Sequence, residues 1–234
     1  MGRSDIPYAE RLKMQHDSNI VANRNHSAQI TMFCFSVALH KHEGIGYKRL
    51  VKYSLSFKKN LDDMYKDIEH GMDQARRRLA QHGIEISGDL YSIAIPGGTA
   101  KDQQIADHRV QASQIAQIVA TITINDEFKL GEPKLRRIQE EVNALSARYA
   151  KEGEGFLLEE MQKIGFPIID GKVTAFLDDD GTPVTANRAA KEGFPCTQQM
   201  GRDDGEAKRG YRNRPSSGRR TFSCVPWNFR KCNL

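Results

Sequence analysis

The apolar positions of this chain fall into long helical stripes, broken twice in the same way. Leu50, Phe57, Leu61, Met64 and Ile68 recur at threes, fours and sevens, which predicts a helix over about Tyr47–Tyr65. Leu135, Ile138, Val142, Leu145 and Tyr149 repeat that stripe, with Pro133 in its first turn. Ahead of each stripe a longer helix is expected, its apolar side strengthening toward its end, from Asp17 to about Lys41 and from about Asp102 to Asp126. Within the second, Ile118 to Ile124 is β-branched and alternating, so it fits a strand as well as a helix. Shorter helices follow at about Glu69–Gln81 and Gly155–Lys163. Each is followed by a hairpin pattern, Ile84–Ile86 with Leu90–Ile95 and Phe166–Ile169 with Lys172–Phe176.

The two breaks, Glu43-Gly-Ile-Gly46 and Phe128-Lys-Leu-Gly131, stand eighty-five positions apart. At that offset Arg24 falls on Arg109, Gln29 on Gln114, Leu39 on Ile124 and Leu50 on Leu135. After three deleted positions Leu79 falls on Met161, Gly83 on Gly165 and Ile86 on Ile168. Matching order over this length predicts an internal repeat, and two copies suit a pseudo-twofold pair rather than a solenoid. The expected fold is α+β, mostly α: two pseudo-repeated units of about three helices plus a β-hairpin, each burying its apolar face partly against the other. The boundaries read as a polar lead-in at 1–16, unit one at 17–96 and a linker at 97–101. Unit two follows at 102–178, a short closing segment with a helix near Asn187–Glu192 at 179–195, and a disordered basic tail at 196–234.

Charge sharpens that division. The net +5 is concentrated at the C-terminal end, where residues 201–234 carry nine Lys/Arg against three acids, leaving the first 200 residues near −1. No run of eighteen apolar residues occurs and the N-terminus lacks a secretory core, so the reading is a cytoplasmic protein without membrane contact. Cys34 lies among Met32, Phe33, Phe35 and Val37 and reads as a buried thiol. Cys196, Cys224 and Cys232 lack metal-ligand spacing. The aspartates of Asp178–Pro183 lack the remaining ligands of a calcium loop.

Three features bear on function. The turn around Gly44 and Gly46, echoed at Gly131, offers backbone amides at a helix start, suited to a phosphate; it also serves simply as a connector between helices. Lys48, Arg49 and Lys52 open the second helix of unit one, and Lys134, Arg136 and Arg137 open that of unit two. Cations there oppose the macrodipole by a few tenths of a kcal/mol, so phosphate contact competes with a solvated face as the explanation. Arg76 and Arg77, with Arg78, lie in the third helix, which in a winged-helix order enters the major groove. Unit two has Leu158-Glu159-Glu160 there, and tertiary ion pairing explains the arginines as well. His40 and His42 have no third ligand and read as a polar helix end. No catalytic set and no cofactor or metal site is expected.

Glu43-Gly-Ile-Gly-Tyr-Lys-Arg-Leu50 resembles the helix-hairpin-helix motif of non-specific DNA-binding proteins, although unit two has Lys129 where Gly44 stands. With Ala38-Leu-His40, the same stretch resembles the core of small uncharacterised helical proteins of phages and prophages in Gram-positive bacteria, over about residues 25–60. That resemblance implies a mobile-element setting and no known activity. The expectation is a non-enzymatic accessory protein that contacts nucleic-acid phosphates with low sequence specificity. The alternative is a protein-interaction or inhibitor module using the surface between the units. A third reading, an enzyme site assembled across the repeat interface, would need converging carboxylates and histidines.

Overall fold

A computed structural model describes residues 8–81, 99–178, 180–191 and 222–226. These form α1 (Tyr8–Glu43), α2 (Tyr47–Lys66), α3 (Ile68–Ala80), α4 (Ala100–Phe128), α5 (Glu132–Glu152) and α6 (Glu154–Ile164). Then come β1 (Ile168–Ile169), β2 (Lys172–Asp178), β3 (Pro183–Val184), α7 (Ala186–Lys191) and β4 (Phe222–Pro226). The fold is mostly helical with a small antiparallel sheet centred on β2. No helix is long and apolar enough to cross a membrane among the described residues.

The two long helices form the axis. His16 meets Gln104 near their starts and Thr31 meets Ser113 further along, so α1 and α4 run parallel. Each then reverses through a three-residue connection, but the returning helix does not fold back onto its own predecessor. α5 runs antiparallel along α1, with Glu43 on Lys134, His42 on Glu141 and Cys34 on Ser146. α2 runs antiparallel along α4, with Ser56 on Glu127 and Asn60 on Thr123. α6 likewise packs on α1 and α3 on α4. One continuous core results, holding Phe33, Leu39, Leu50 and Phe57 together with Ile118, Ile124, Ile138 and Val142.

The two connections share a backbone path. Gly44 takes the left-handed conformation at φ +62° and donates to the His40 carbonyl at 3.0 Å. Lys129 takes it at φ +52° and donates to Asn125 at 3.0 Å. The Ile45 amide reaches back to the Leu39 carbonyl and its side chain is buried, a cap in which the apolar residue seals the turn. Gly46 and Gly131 are then the N-caps of α2 and α5, at φ −85° and −74° with ψ 169° and 165°. Gly131 therefore sits where Gly46 does.

Several expectations need correction. The polar lead-in is helical from Tyr8: Glu10 to Gln15 are good helix formers, all exposed, and give no apolar stripe. Ile118–Ile124 is helix throughout, so the expected helix holds and only the strand alternative falls. All but Thr121 of that stretch is buried, because α4 is wrapped by α1, α2 and α3, and burial all round erases the 3.6-residue period. The linker ends earlier than expected. Thr99 caps α4 reciprocally with Asp102 and the helix begins at Ala100. Within the segment read as a disordered tail, Phe222–Pro226 is a strand in register with β2, from Thr174↔Pro226 to Asp178↔Phe222. The hairpin expected at 84–95 and the rest of 196–234 lie outside the described residues. The hairpin of unit two forms as expected, turning at Asp170-Gly171, and the closing helix is α7.

Candidate nucleic-acid interface

Because α1 and α4 run parallel, their C-terminal ends emerge side by side. Both glycine turns, and the starts of α2 and α5, therefore lie at one end of the bundle. α3 returns along α4 to that same end, where the Arg78 guanidinium spans both carboxylate oxygens of Asp126 at 2.8 and 2.7 Å. The residues singled out in the sequence are thus collected at one end, although they come from segments far apart in the chain. The sheet is fastened beside them. The Phe176 amide donates to the Tyr47 hydroxyl at 3.2 Å, and the Tyr47 ring meets the Phe166 ring edge-on at 4.9 Å.

The collected cations divide by what they touch. Arg49 lies over the Phe128 ring at 4.9 Å, keeping its charge while covering the end of α4. Lys134 reaches the Glu43 carboxylate, which is only 11 % exposed, at 2.5 Å. Arg136 pairs with Glu132 within its own helix, and Arg76 with Asp73 at 3.3 Å. Lys48, Lys52, Arg77, Lys129 and Arg137 are exposed and enter no ion pair among the described residues. Gly44 and Gly46 are exposed as well, and a Cβ at either would meet nothing within 4 Å. Gly44 answers a conformational demand at positive φ and no crowding.

The histidines have local work. His40 Nδ1 lies 3.0 Å from the Ile45 carbonyl, tying the helix end to its turn. His42 and Lys41 both reach Glu141, at 3.3 and 2.8 Å, and these contacts, the Lys41 hydrogen bond foremost, hold that carboxyl below its ordinary range. No group of His, Cys, Asp or Glu among the described residues is arranged to hold a metal ion. Sequence reasoning missed the carboxylates that answer the cations. Glu43, Asp126 and Glu141 act across helices, and nothing in a linear pattern marks which cation each will face. Glu132, four residues before Arg136, was legible as a helical pair.

One cleft of about 270 Å³ opens between α2, α3 and α4, lined in part by Asp63, Asp67, His70, Gln74 and Arg78. Its polar groups are engaged locally: Asp63 with Lys66, Asp67 as the cap of α3, His70 with Gln74 and Arg78 with Asp126. In unit two the position matching Gln74 is Phe156, nearly buried beneath the Arg148 guanidinium. Comparisons with protein-family models, curated proteins and solved structures give no match to this chain.

Proposed function

We propose that this protein is a non-enzymatic nucleic-acid-contacting accessory protein. The end of the bundle carrying both glycine turns lies against phosphates, without base readout. The carrying observation is the gathering of Lys48, Lys52, Arg77, Lys129 and Arg137 there, outside any ion pair among the described residues, beside Arg49. Such cations work through counterion release and hold register-independent contacts. The partial positive charge at the two helix starts also favours an anion. The two units form a pseudo-twofold repeat on this reading, supported by the common offset of the turns and of their cross-helix partners. The mobile-element setting rests on the sequence resemblance alone.

The test is binding of the full-length chain to duplex and single-stranded nucleic acid at low salt. Lys48→Glu with Lys52→Glu should weaken binding to all sequences alike and reduce the salt slope by about one for each phosphate no longer neutralised. Binding and slope unchanged in that variant would remove the bundle end from the interface. A protein-binding surface between the units would need an apolar groove. The cleft between α2, α3 and α4 carries charge on its wall and is not such a groove.

A further inference from the structure

The two edges of β2 are closed in different ways. Thr174 donates its amide to the Pro167 carbonyl at 2.9 Å, Phe176 to the Tyr47 hydroxyl at 3.2 Å, and Asp178 to the Thr182 carbonyl at 3.0 Å. These three amides face one edge, where β1, the start of α2 and the β2–β3 turn meet them. Successive amides of a strand point to opposite edges, so those of Ala175 and Leu177 face the other edge. There the partner is β4, with Ala175 opposite Val225 and Leu177 opposite Ser223. Pro226, which has no N–H, stands opposite Thr174, where the ladder requires no donor. The inner edge is thus closed by the adjoining strands and turn together with the Tyr47 side chain of α2, whereas the outer edge is closed by a segment arriving from beyond thirty intervening residues, 192–221.

We propose that the outer edge of β2 is a strand-accepting site, and that Phe222–Pro226 of a second copy occupies it in trans, giving a strand-exchanged dimer. Without β4 the amides of Ala175 and Leu177 lose their strand partner, and an edge with unpaired amides recruits an added strand. The complementary strand is present in every copy, with the same register and the same proline placement. A strand tethered through thirty residues meets its own edge at an effective concentration on the order of millimolar. Pairing within one chain therefore dominates in dilute solution, and exchange grows as protein concentration approaches that value.

The experiment mixes two differently tagged full-length chains. They are refolded together from about 10 μM to about 1 mM, a range set against the tether, and co-capture and light-scattering mass are read. A mixed dimer should rise with concentration and fall at least about tenfold in Ser223→Pro, which removes a ladder amide. Far-UV circular dichroism of that variant reports whether the helices persist. As a second arm, an excess of the peptide Arg220–Asn228 should suppress the wild-type dimer by taking the same edge. A chain monomeric across the range overturns the proposal. So does a dimer indifferent to the peptide, whether or not the proline variant keeps its helices.

Discussion

The α1–α5 seam and the α2–α4 seam are both antiparallel and are joined by different chemistry. In the first, Glu43 faces Lys134 and His42 faces Glu141. In the second, the matching positions are Phe128 facing Arg49 and Glu127 facing Ser56. An ion pair on one side is a cation over an aromatic ring on the other, and a histidine–carboxylate contact is a carboxylate–serine hydrogen bond. Backbone path is held in common by the left-handed residue, the glycine cap and the buried positions after it. The polar partners at the seam are free to differ provided each pair is satisfied, because exposed polar pairs contribute little individually.

The largest effect should come from the core beneath both seams. Leu50 is fully buried and Leu135 nearly so, at matching places in α2 and α5. Either changed to Ala should cost about 2–5 kcal/mol. Because Leu50 and Leu135 belong to one core, both variants should lower one and the same cooperative unfolding transition. Calorimetry showing two transitions, with each variant moving only its own, would break the interlocked arrangement.

A smaller effect separates the two turns. Gly44 and Lys129 hold the same left-handed conformation, which costs a residue with a Cβ about 1–2 kcal/mol. Gly44→Ala should therefore destabilise by about 1 kcal/mol, while Lys129→Gly should gain up to about 1 kcal/mol. Chemical denaturation of both variants checks the opposite signs; the same sign in both would mean that the two turns are not equivalent.

Tyr53 and Ile138 are a further matched pair. The Tyr53 ring packs near Phe57 and Phe128, and its hydroxyl is buried with no hydrogen-bond partner among the described residues. Burial drives that phenol far above its ordinary range. Tyr53→Phe removes the desolvated oxygen and should be neutral or stabilising by about 1 kcal/mol. A loss of stability in equilibrium unfolding would reveal a partner for it.

The smallest effect is a pH dependence. The Glu141 carboxyl is held low by Lys41 and His42, so its folded value lies below its unfolded one. The stability it contributes is present above the ordinary carboxylate range and is lost as pH falls through the depressed folded value. Glu141→Gln should flatten the acid limb of the stability profile. An unaltered acid limb would show that this carboxylate contributes nothing measurable.

Much of the architecture was legible because the amphipathic helices α2, α3, α5 and α6 keep a solvent face, and their stripes survive in the sequence. The glycine turns were legible because a left-handed residue and a helix cap select glycine at fixed spacing. The interior of α4 was not, since Ile118–Ile124 is surrounded and alternates by composition alone. The first turns of α1 were hidden because their apolar residues, Leu12 and Met14, are exposed and form no stripe. β4 was hidden by its setting, a five-residue strand inside a Gly/Arg-rich segment whose partner lies more than forty positions away. For the candidate interface, the cations were visible in sequence. Their division into engaged and unengaged groups depended for Lys134 and Arg49 on a carboxylate and a ring supplied by other helices, whereas Arg76 and Arg136 pair within their own.

On the proposed reading, the starts of α2 and α5 act as equivalent halves of one phosphate-contacting end. The most direct measurement compares two double reversals in the full-length chain, Lys48→Glu with Lys52→Glu and Lys129→Glu with Arg137→Glu. Nucleic-acid affinity is titrated against salt for each, and circular dichroism confirms that both remain folded. Both variants should bind more weakly at low salt, with slopes reduced by similar amounts and no change in sequence preference. Contributions from the basic C-terminal segment are common to both and cancel in the comparison. A weakening confined to one variant would contradict the equivalence of the two halves, and no weakening in either would contradict the interface itself.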